Sequence, residues 1–339
     1  MLAKVFADAR RDIFEKRFAV RARDFYRRNV PVQFTILGSG SSGNCAYLEC
    51  DETRLLIDAG LSGRQIRQRL LTIGRTPENL DGILITHEHS DHIQGLIGLA
   101  AKLQIPVYCN RQTRDAIKSQ LDVDLEFRLF ETGASFDLGS VSIDSFTVPH
   151  DAYDPVGFLI RTHCANIGIL TDLGHPTKLV MERVRQANVL VLETNHDLKM
   201  LQDDVRRPWS VKQRIVSRHG HLSNDAAADL AAEVVSADLE HLYLGHLSSD
   251  CNKPELAHAA VSGKLQAIGA RHVQVVTASQ EAPCATLSYS RPAGAASVEP
   301  MKESCTEYLY DLFTWKKVPE FPPMSALPLT LPPRPELPG

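Results

Sequence analysis

From residue 32 onward the chain alternates short apolar runs with longer amphipathic stretches, and the two periods mark its elements. Residues 33–37, 45–49 and 54–58 are β-prone runs parted by turn residues, the pattern of an antiparallel meander. Residues 62–73 carry Ile66, Leu70 and Ile73 on one side and predict a helix. Residues 83–85 read as a short buried strand, 93–103 as an apolar helix, 106–109 as a strand and 112–121 as a helix. Strands are predicted at 128–130, 135–137, 141–148, 156–161 and 167–170. A helix over 176–186, with Leu179, Val180 and Val184 inward, precedes a fully apolar strand at 189–192. The last third alternates helix 224–235, strand 241–244, helix 254–268 and strand 273–276. Two halves, each of strands followed by helices, predict an α/β fold in which two sheets pack face to face with helices outside.

The two ends differ from this body. Residues 1–31 form a basic extension in which Arg10, Arg11, Lys16, Arg17, Arg21, Arg23, Arg27 and Arg28 alternate with Ile13, Phe14, Phe18, Val20 and Phe25. The spacing suits a basic, partly amphipathic helix. Asp8, Asp12, Glu15 and Asp24 argue against an organelle-targeting peptide, because such peptides are poor in acids. The ordered domain is expected over 32–286. Residues 287–339 are expected as an extended tail, since the stretch from 318 onward holds eight prolines in 22 residues, which excludes a helix or a paired strand. Its Pro-x-x-Pro segments offer a dock for a partner protein, and an uninvolved end is the plainer reading.

Composition narrows the class little. A net charge of −4 gives no overall pull toward nucleic acid, so such a contact must come from a local patch. Apolar runs fall short of a membrane span, and there is no secretory leader, so no membrane contact is expected. Seven cysteines, none in a C-x-x-C pair, point to reduced thiols and a cytoplasmic protein rather than a disulfide framework. Gly38-Ser39-Gly40-Ser41-Ser42-Gly43 is a literal G-x-G-x-x-G. It leads into further strands, not into the helix a dinucleotide site requires, so that reading fails on context.

The chemistry concentrates in His87-Glu88-His89-Ser90-Asp91-His92, directly after the apolar strand. Imidazole and carboxylate are the ligand set of zinc or a similar divalent ion, and a loop at a strand end can splay alternate side chains toward two neighbouring ions. Further candidates sit at predicted strand ends: His150, Asp172 and His246. Glu193-Thr194-Asn195-His196-Asp197 also ends a strand. Ser223 or Asn224 would cap the helix that follows Gly220-His221-Leu222, and a helix N-terminus favours an anion; plain capping and phosphate binding stand level on composition. Arg206, Arg207, Lys212, Arg214 and Arg218 could follow a nucleic-acid backbone or merely coat a solvated helix.

H-x-H-x-D-H followed by isolated His, Asp and His at strand ends resembles the metallo-β-lactamase superfamily. Gly38–Asn44, Asp58-Ala59-Gly60-Leu61-Ser62, Thr86–His92, Thr194-Asn195-His196-Asp197, Pro208-Trp209-Ser210 and Gly220–Asn224 resemble its bacterial YycJ/WalJ branch. The resemblance covers residues 32–279 and neither end. It implies a four-layer αββα sandwich with a dinuclear site along one edge of the sheets. It implies His87, His89 and His150 on a first ion, Asp91, His92 and His246 on a second, and Asp172 bridging two divalent ions, Zn2+ or Mn2+. Asp91 would also orient the hydroxide nucleophile that such a pair generates. His221, Ser223 and Asn224 would contact substrate phosphate, and His196 would be a general acid or a support behind the ligands. The implied activity is phosphodiester hydrolysis on nucleic acid, as a 5′-to-3′ DNA exonuclease. About 74 residues separate Asp172 from His246, too few for the extra domain that ribonuclease J inserts there. The alternatives are a small-molecule ester, thioester or lactam hydrolase of the same fold, and a metal-binding regulator without turnover.

Overall fold

The computed structural model describes residues 30–290. The basic extension up to residue 29 and the proline-rich stretch from residue 291 lie outside the described residues. Within them the first sheet is built from β1 (Val32–Gly38), β2 (Cys45–Cys50), β3 (Thr53–Ile57), β4 (Gly82–Leu84), β5 (Val107–Cys109), β6 (Phe127–Leu129) and β14 (Leu287–Tyr289). The second comprises β7 (Ser135–Leu138), β8 (Val141–Thr147), β9 (Val156–Arg161), β10 (Asn166–Leu170), β11 (Val189–Glu193), β12 (His241–Gly245) and β13 (Gln274–Thr277). The strand orders are β14-β1-β2-β3-β4-β5-β6 and β13-β12-β11-β10-β9-β8-β7. In each sheet an antiparallel meander gives way to parallel strands. β3, β4, β5 and β6 run parallel in one, β10, β11, β12 and β13 in the other.

The side-chain period of two sorts each strand between two cores. Phe34 and Ile36, Leu48, Leu55 and Ile57 face Val189, Val191, Tyr243 and Phe158 across the space between the sheets. On the outer face of the first sheet, Leu37, Tyr47, Leu56 and Ile83 pack under α1 (Gly63–Thr72) and α4 (Arg111–Gln120), through Ile66, Leu70 and Ile117. On the outer face of the second, Leu190, Leu192, Leu242 and Leu244 pack under α5 (Lys178–Val184), α8 (Asn224–Val234) and α9 (Pro254–Ala267). Strands covered on both faces must be apolar on both, which is why β11 and β12 read as unbroken apolar runs. The result is the four-layer αββα sandwich that the sequence predicts.

Two expectations differ. The helix expected at 93–103 is broken into α2 (Ser90–Ile93), a 3₁₀ turn at Gln94–Leu96 and α3 (Ala100–Leu103). The cause is close backbone approach at Gly95, where a Cβ would lie 2.4 Å from the Leu61 carbonyl oxygen while the Gly95 N–H donates to Ala59 at 2.7 Å. A continuous apolar helix would bury its face but could not make this contact. Second, Leu287–Tyr289, expected within the extended tail, pairs antiparallel with Val32–Phe34 as the edge strand β14. Two further helices, α6 (Leu198–Asp203) and α7 (Trp209–Ile215), fill the stretch after β11 that no periodicity marked.

Candidate metal centre

The site lies where parallel strands end, the position at which open α/β sheets gather ligands. β3 runs into Asp58, β4 into Thr86 and His87, β10 into Asp172, β11 ends on Glu193, and β12 runs into His246. Three of these residues leave their strands in the left-handed region: Asp58 at φ 58°, Asp172 at 54° and His246 at 55°. Non-glycine residues hold that conformation only where the surroundings impose it, and such strain clusters at functional sites.

Three loops lock together beneath the cluster. Asn44 N–H donates to the Asp91 carbonyl at 2.8 Å, Gly60 N–H to the Asn44 carbonyl at 2.8 Å and Ala59 N–H to the His92 carbonyl at 2.8 Å. Gly60 must be glycine here, because a Cβ would fall 1.5 Å from the Asp91 carbonyl oxygen. The glycine-rich loop is therefore a brace for the histidine loop. Ser39 Oγ accepts the His246 N–H at 2.8 Å and donates to Asn44 Oδ1 at 2.9 Å. The amide of Asn44 in turn reaches Asp91 Oδ2 at 3.3 Å.

Several overlapping groups have donor atoms within 4.8 Å of one another: His87, His89 and His150; Asp91, His92 and His246; His87, His92 and Asp172; and Asp172, Glu193, His221 and His246. Asp172 lies between the first two. Its Oδ1 is 3.6 Å from His150 Nε2 and 3.4 Å from His246 Nδ1, and its Oδ2 is 3.0 Å from His92 Nε2. His89 Nδ1 faces His87 Nε2 at 3.1 Å and His150 Nε2 at 3.3 Å. Three imidazole nitrogens converging on one point cannot all be satisfied by sharing protons, whereas one cation satisfies all three.

The outward nitrogens are tied. His150 Nδ1 donates to the Gly220 carbonyl at 3.1 Å, His92 Nδ1 to Asp58 Oδ2 at 2.8 Å and His246 Nδ1 to Glu193 Oε1 at 2.8 Å. Each bond fixes the tautomer that leaves a lone pair on Nε2, the carboxylate–histidine arrangement of metal ligands. Charge points the same way. Asp58, Asp91, Asp172 and Glu193 have only histidines as ion-pair partners among the described residues. Buried carboxylates in this number call for cations. The donor set fits divalent metal.

Titration follows from the same crowding. Burial drives His87 well below its ordinary value, helped by the neighbouring His92, while burial and His221 lower His150. Burial opposes charge on His92 and His246 too, but Asp58 and Asp172 respectively hold them well above theirs. Asp91 and Asp172 are held well below the carboxylate range, against burial, by His92 and His246. Glu193 is held down to about 2, against burial, by His221 and His246.

The remaining expected site residues divide. The cluster floors a cleft of about 280 Å³, whose lining includes Asp91, Asp172, His196, His221 and His246, together with Arg207 and Arg214. His221 stands beside the ligands, its Nδ1 donating to Glu193 Oε1 at 2.7 Å; burial opposes its charged form, but Glu193 holds it above the ordinary value. Ser223 and Asn224 do not line the cleft. Ser223 Oγ caps α8 by accepting from Ala226 N–H, and the Asn224 amide is paired both ways with that of Asn252 at 2.9 Å. Capping accounts for the Ser223 side chain, and pairing with Asn252 for that of Asn224. His196, expected as a proton donor, is pushed down to about 4 by burial and so is neutral near pH 7. The basic residues are largely neutralised: Arg206 and Arg207 pair with Asp204 and Asp250, and Arg214 pairs with Asp151. Lys212 donates to the Gln202 carbonyl and Arg218 to His175.

Asp58 and Glu193 are the residues that the sequence reading missed. Their signal was a carboxylate closing an otherwise apolar strand, where burial demands a partner.

Comparison with known proteins places the chain. The model of the β-lactamase superfamily domain matches residues 53–246. The chain is 39% identical over 241 residues to the exodeoxyribonuclease YycJ of Bacillus anthracis, spanning 70% of this chain and 90% of that protein. It is 40% identical over 237 residues to the exodeoxyribonuclease WalJ of Streptococcus pneumoniae serotype 2, spanning 69% and 88%. Among solved structures, the metallo-β-lactamase fold protein YhfI of Bacillus subtilis matches with a TM-score of 0.56 at 16% identity, over 75% of this chain and 100% of that one, a likeness of fold alone.

Proposed function

We propose, for a chain that belongs to the metallo-β-lactamase superfamily and within it to the YycJ/WalJ-like hydrolases, a DNA exonuclease that degrades from the 5′ end with two divalent ions. That it is a metal-dependent hydrolase of nucleic acid follows from that membership. The reading of its site rests on one observation: two neighbouring groups of donor atoms, each within 4.8 Å, with Asp172 in reach of both, meeting a cleft through His89, Asp91, Asp172 and His246. His87, His89 and His150 would hold one ion and Asp91, His92 and His246 the other, with Asp172 shared. Ions held there would acidify a common water and neutralise the charge that gathers on a phosphodiester under attack. Imidazole with carboxylate suits zinc or manganese.

The chain's own groups supply the rest. Asp91, ionised and fixed by the Asn44 amide, presents a carboxylate that orients the attacking water and accepts its hydrogen bond. His221, held by Glu193 through Nδ1, directs its other nitrogen at the phosphate, where a raised pKa keeps it a donor. Glu193 thereby sets both His221 and His246, coupling the phosphate contact to the metal position. Hydrolysis of a small ester, thioester or lactam is not favoured, since relatives at about 40% identity are exodeoxyribonucleases.

The test is incubation of the purified chain with DNA labelled at either end, with and without chelator. The expected outcome is chelator-sensitive release of nucleotides from the 5′ end, restored by zinc or manganese. Absence of DNA cleavage under every divalent ion would refute it.

A further inference from the structure

At the rim of the sandwich opposite the metal centre, three side chains of different chemistry meet. β2 and β3 pair with Cys50 beside Thr53 and Ala46 beside Ile57, so the turn between them lies a strand's length from Asp58. Cys50 ends β2 and Asp51 follows it in that turn, while His163 comes from the turn between β9 and β10 in the other sheet. One ligand atom from each, a thiol sulfur, a carboxylate oxygen and an imidazole nitrogen, lies within 4.8 Å of the other two. Among the described residues this is the one such group that contains sulfur.

The spacing inside the group is that of ligands on a common ion. His163 Nε2 donates to the Val30 carbonyl at 3.0 Å; a carbonyl can only accept, so the neutral ring carries its lone pair on Nδ1. That lone pair faces Cys50 Sγ at 3.5 Å. A sulfur about 2.3 Å and a nitrogen about 2.05 Å from one zinc ion, at the tetrahedral angle, stand about 3.6 Å apart. The carbonyl behind the ring sets its tautomer as the Gly220 carbonyl does for His150 in the metal centre. Cys50 is fully buried, and Asp51 and His163 are partly so, which places the sulfur innermost and leaves the approach open from the rim. Thiolate, imidazole and carboxylate together suit zinc better than a hard cation such as magnesium or calcium.

We propose that Cys50, Asp51 and His163 bind a zinc ion, distinct from the pair at the metal centre, which clasps the two sheets at this rim with water as its fourth ligand. Binding displaces the Cys50 thiol proton to solvent, so the ligand is the thiolate. The clasp would join the β2–β3 turn of one sheet to the β9–β10 turn of the other. The neighbouring Cys164 Sγ already reaches the carbonyl of Tyr289 in β14 at 3.4 Å, so the same turn touches both sheets.

The test uses cobalt(II) as the probe, added to the metal-free full chain and followed by absorption and by metal analysis after desalting. Thiolate ligation of cobalt gives an intense near-ultraviolet charge-transfer band that imidazole and carboxylate do not. The band therefore reports this site and not the metal centre, whose proposed ligands include no cysteine. The wild-type chain should show the band and hold one equivalent of cobalt more than Cys50→Ser, which should lose the band and keep its other ions. His163→Ala should lose the band with Cys50 still in place. The wild-type spectrum needs no variant, so a variant that fails to fold does not undo the test. A wild-type chain without the band at saturating cobalt would overturn the proposal and leave the contact between Cys50 and His163 as an S–H···N hydrogen bond. A band that persists in Cys50→Ser would overturn it too, because another thiol would then hold the ion. So would a band of unchanged affinity in His163→Ala, because the thiol would then bind without its neighbours. None of these readouts involves DNA cleavage, so the nuclease reading and this one stand or fall separately.

Discussion

Replacing Glu193 with glutamine should weaken the metal position that His246 serves by about 10- to 100-fold while sparing the one built on His87, His89 and His150. The side chain is fully buried and receives four donors: His221 Nδ1 at 2.7 Å and His246 Nδ1 at 2.8 Å on Oε1, Leu173 N–H at 2.8 Å and Leu222 N–H at 3.2 Å on Oε2. An amide has one oxygen and one NH2 group, so whichever way it turns the NH2 faces two donors. Two hydrogen bonds to a charged acceptor are worth roughly 3–6 kcal/mol together before the surroundings relax. The strong backbone donors keep the oxygen, and the NH2 then faces the imidazoles. Their Nδ1 atoms must become acceptors, their protons move to Nε2, and His246 loses the lone pair it needs as a ligand. A 10- to 100-fold fall in affinity corresponds to about 1.4–2.8 kcal/mol, within what the broken bonds can supply. The assay is a competition titration of metal-free protein with zinc against a chromophoric chelator, wild type beside variant. Two affinities equal to wild type, or an equal fall at both positions, would refute the reasoning.

Three other outcomes follow from the same geometry. His221→Ala should raise KM for DNA by about tenfold or more, the value of a hydrogen bond to a charged phosphate, without changing metal stoichiometry; loss of an ion would show that His221 is a ligand. Gly60→Ala must displace the Asp91 carbonyl, so both metal content and Tm should fall, with a stability cost of about 1–3 kcal/mol. In metal-free protein the depressed folded pKa of Glu193 contributes stability that is present above its ordinary 4.5 and lost as pH falls toward about 2. Acid titration of Tm should therefore be shallower in Glu193→Gln, and an unchanged profile would contradict the assignment.

The lines between legible and hidden features are physical. The apolar runs at β3, β4, β10, β11 and β12 marked the strands, and ligand-type residues directly after them marked the cluster, because period and adjacency are local properties. The carboxylates that aim the histidines were harder to see. Glu193 and Asp58 are each one acid at a strand end among many polar residues, and which of them turns inward depends on partners 28 to 53 positions away. The helix expected at 93–103 failed for a similar reason: an apolar stretch says that it is buried, but only the approach of Ala59 and Leu61 to Gly95 breaks it. Ser223 and Asn224 were legible as a cap, and nothing local could tell that Asn252 takes the Asn224 amide. The arginines after β11 looked like a basic patch because their acid partners Asp204, Asp250 and Asp151 lie partly on other segments.

A pair of ions between the two sets of ligands would be visible in anomalous diffraction from crystals of the zinc-loaded chain, recorded above and below the metal edge. Two peaks are expected, one among His87, His89 and His150 and one among Asp91, His92 and His246, with Asp172 reaching both. A single peak there, or two that leave Asp172 outside coordination, would contradict such a pair.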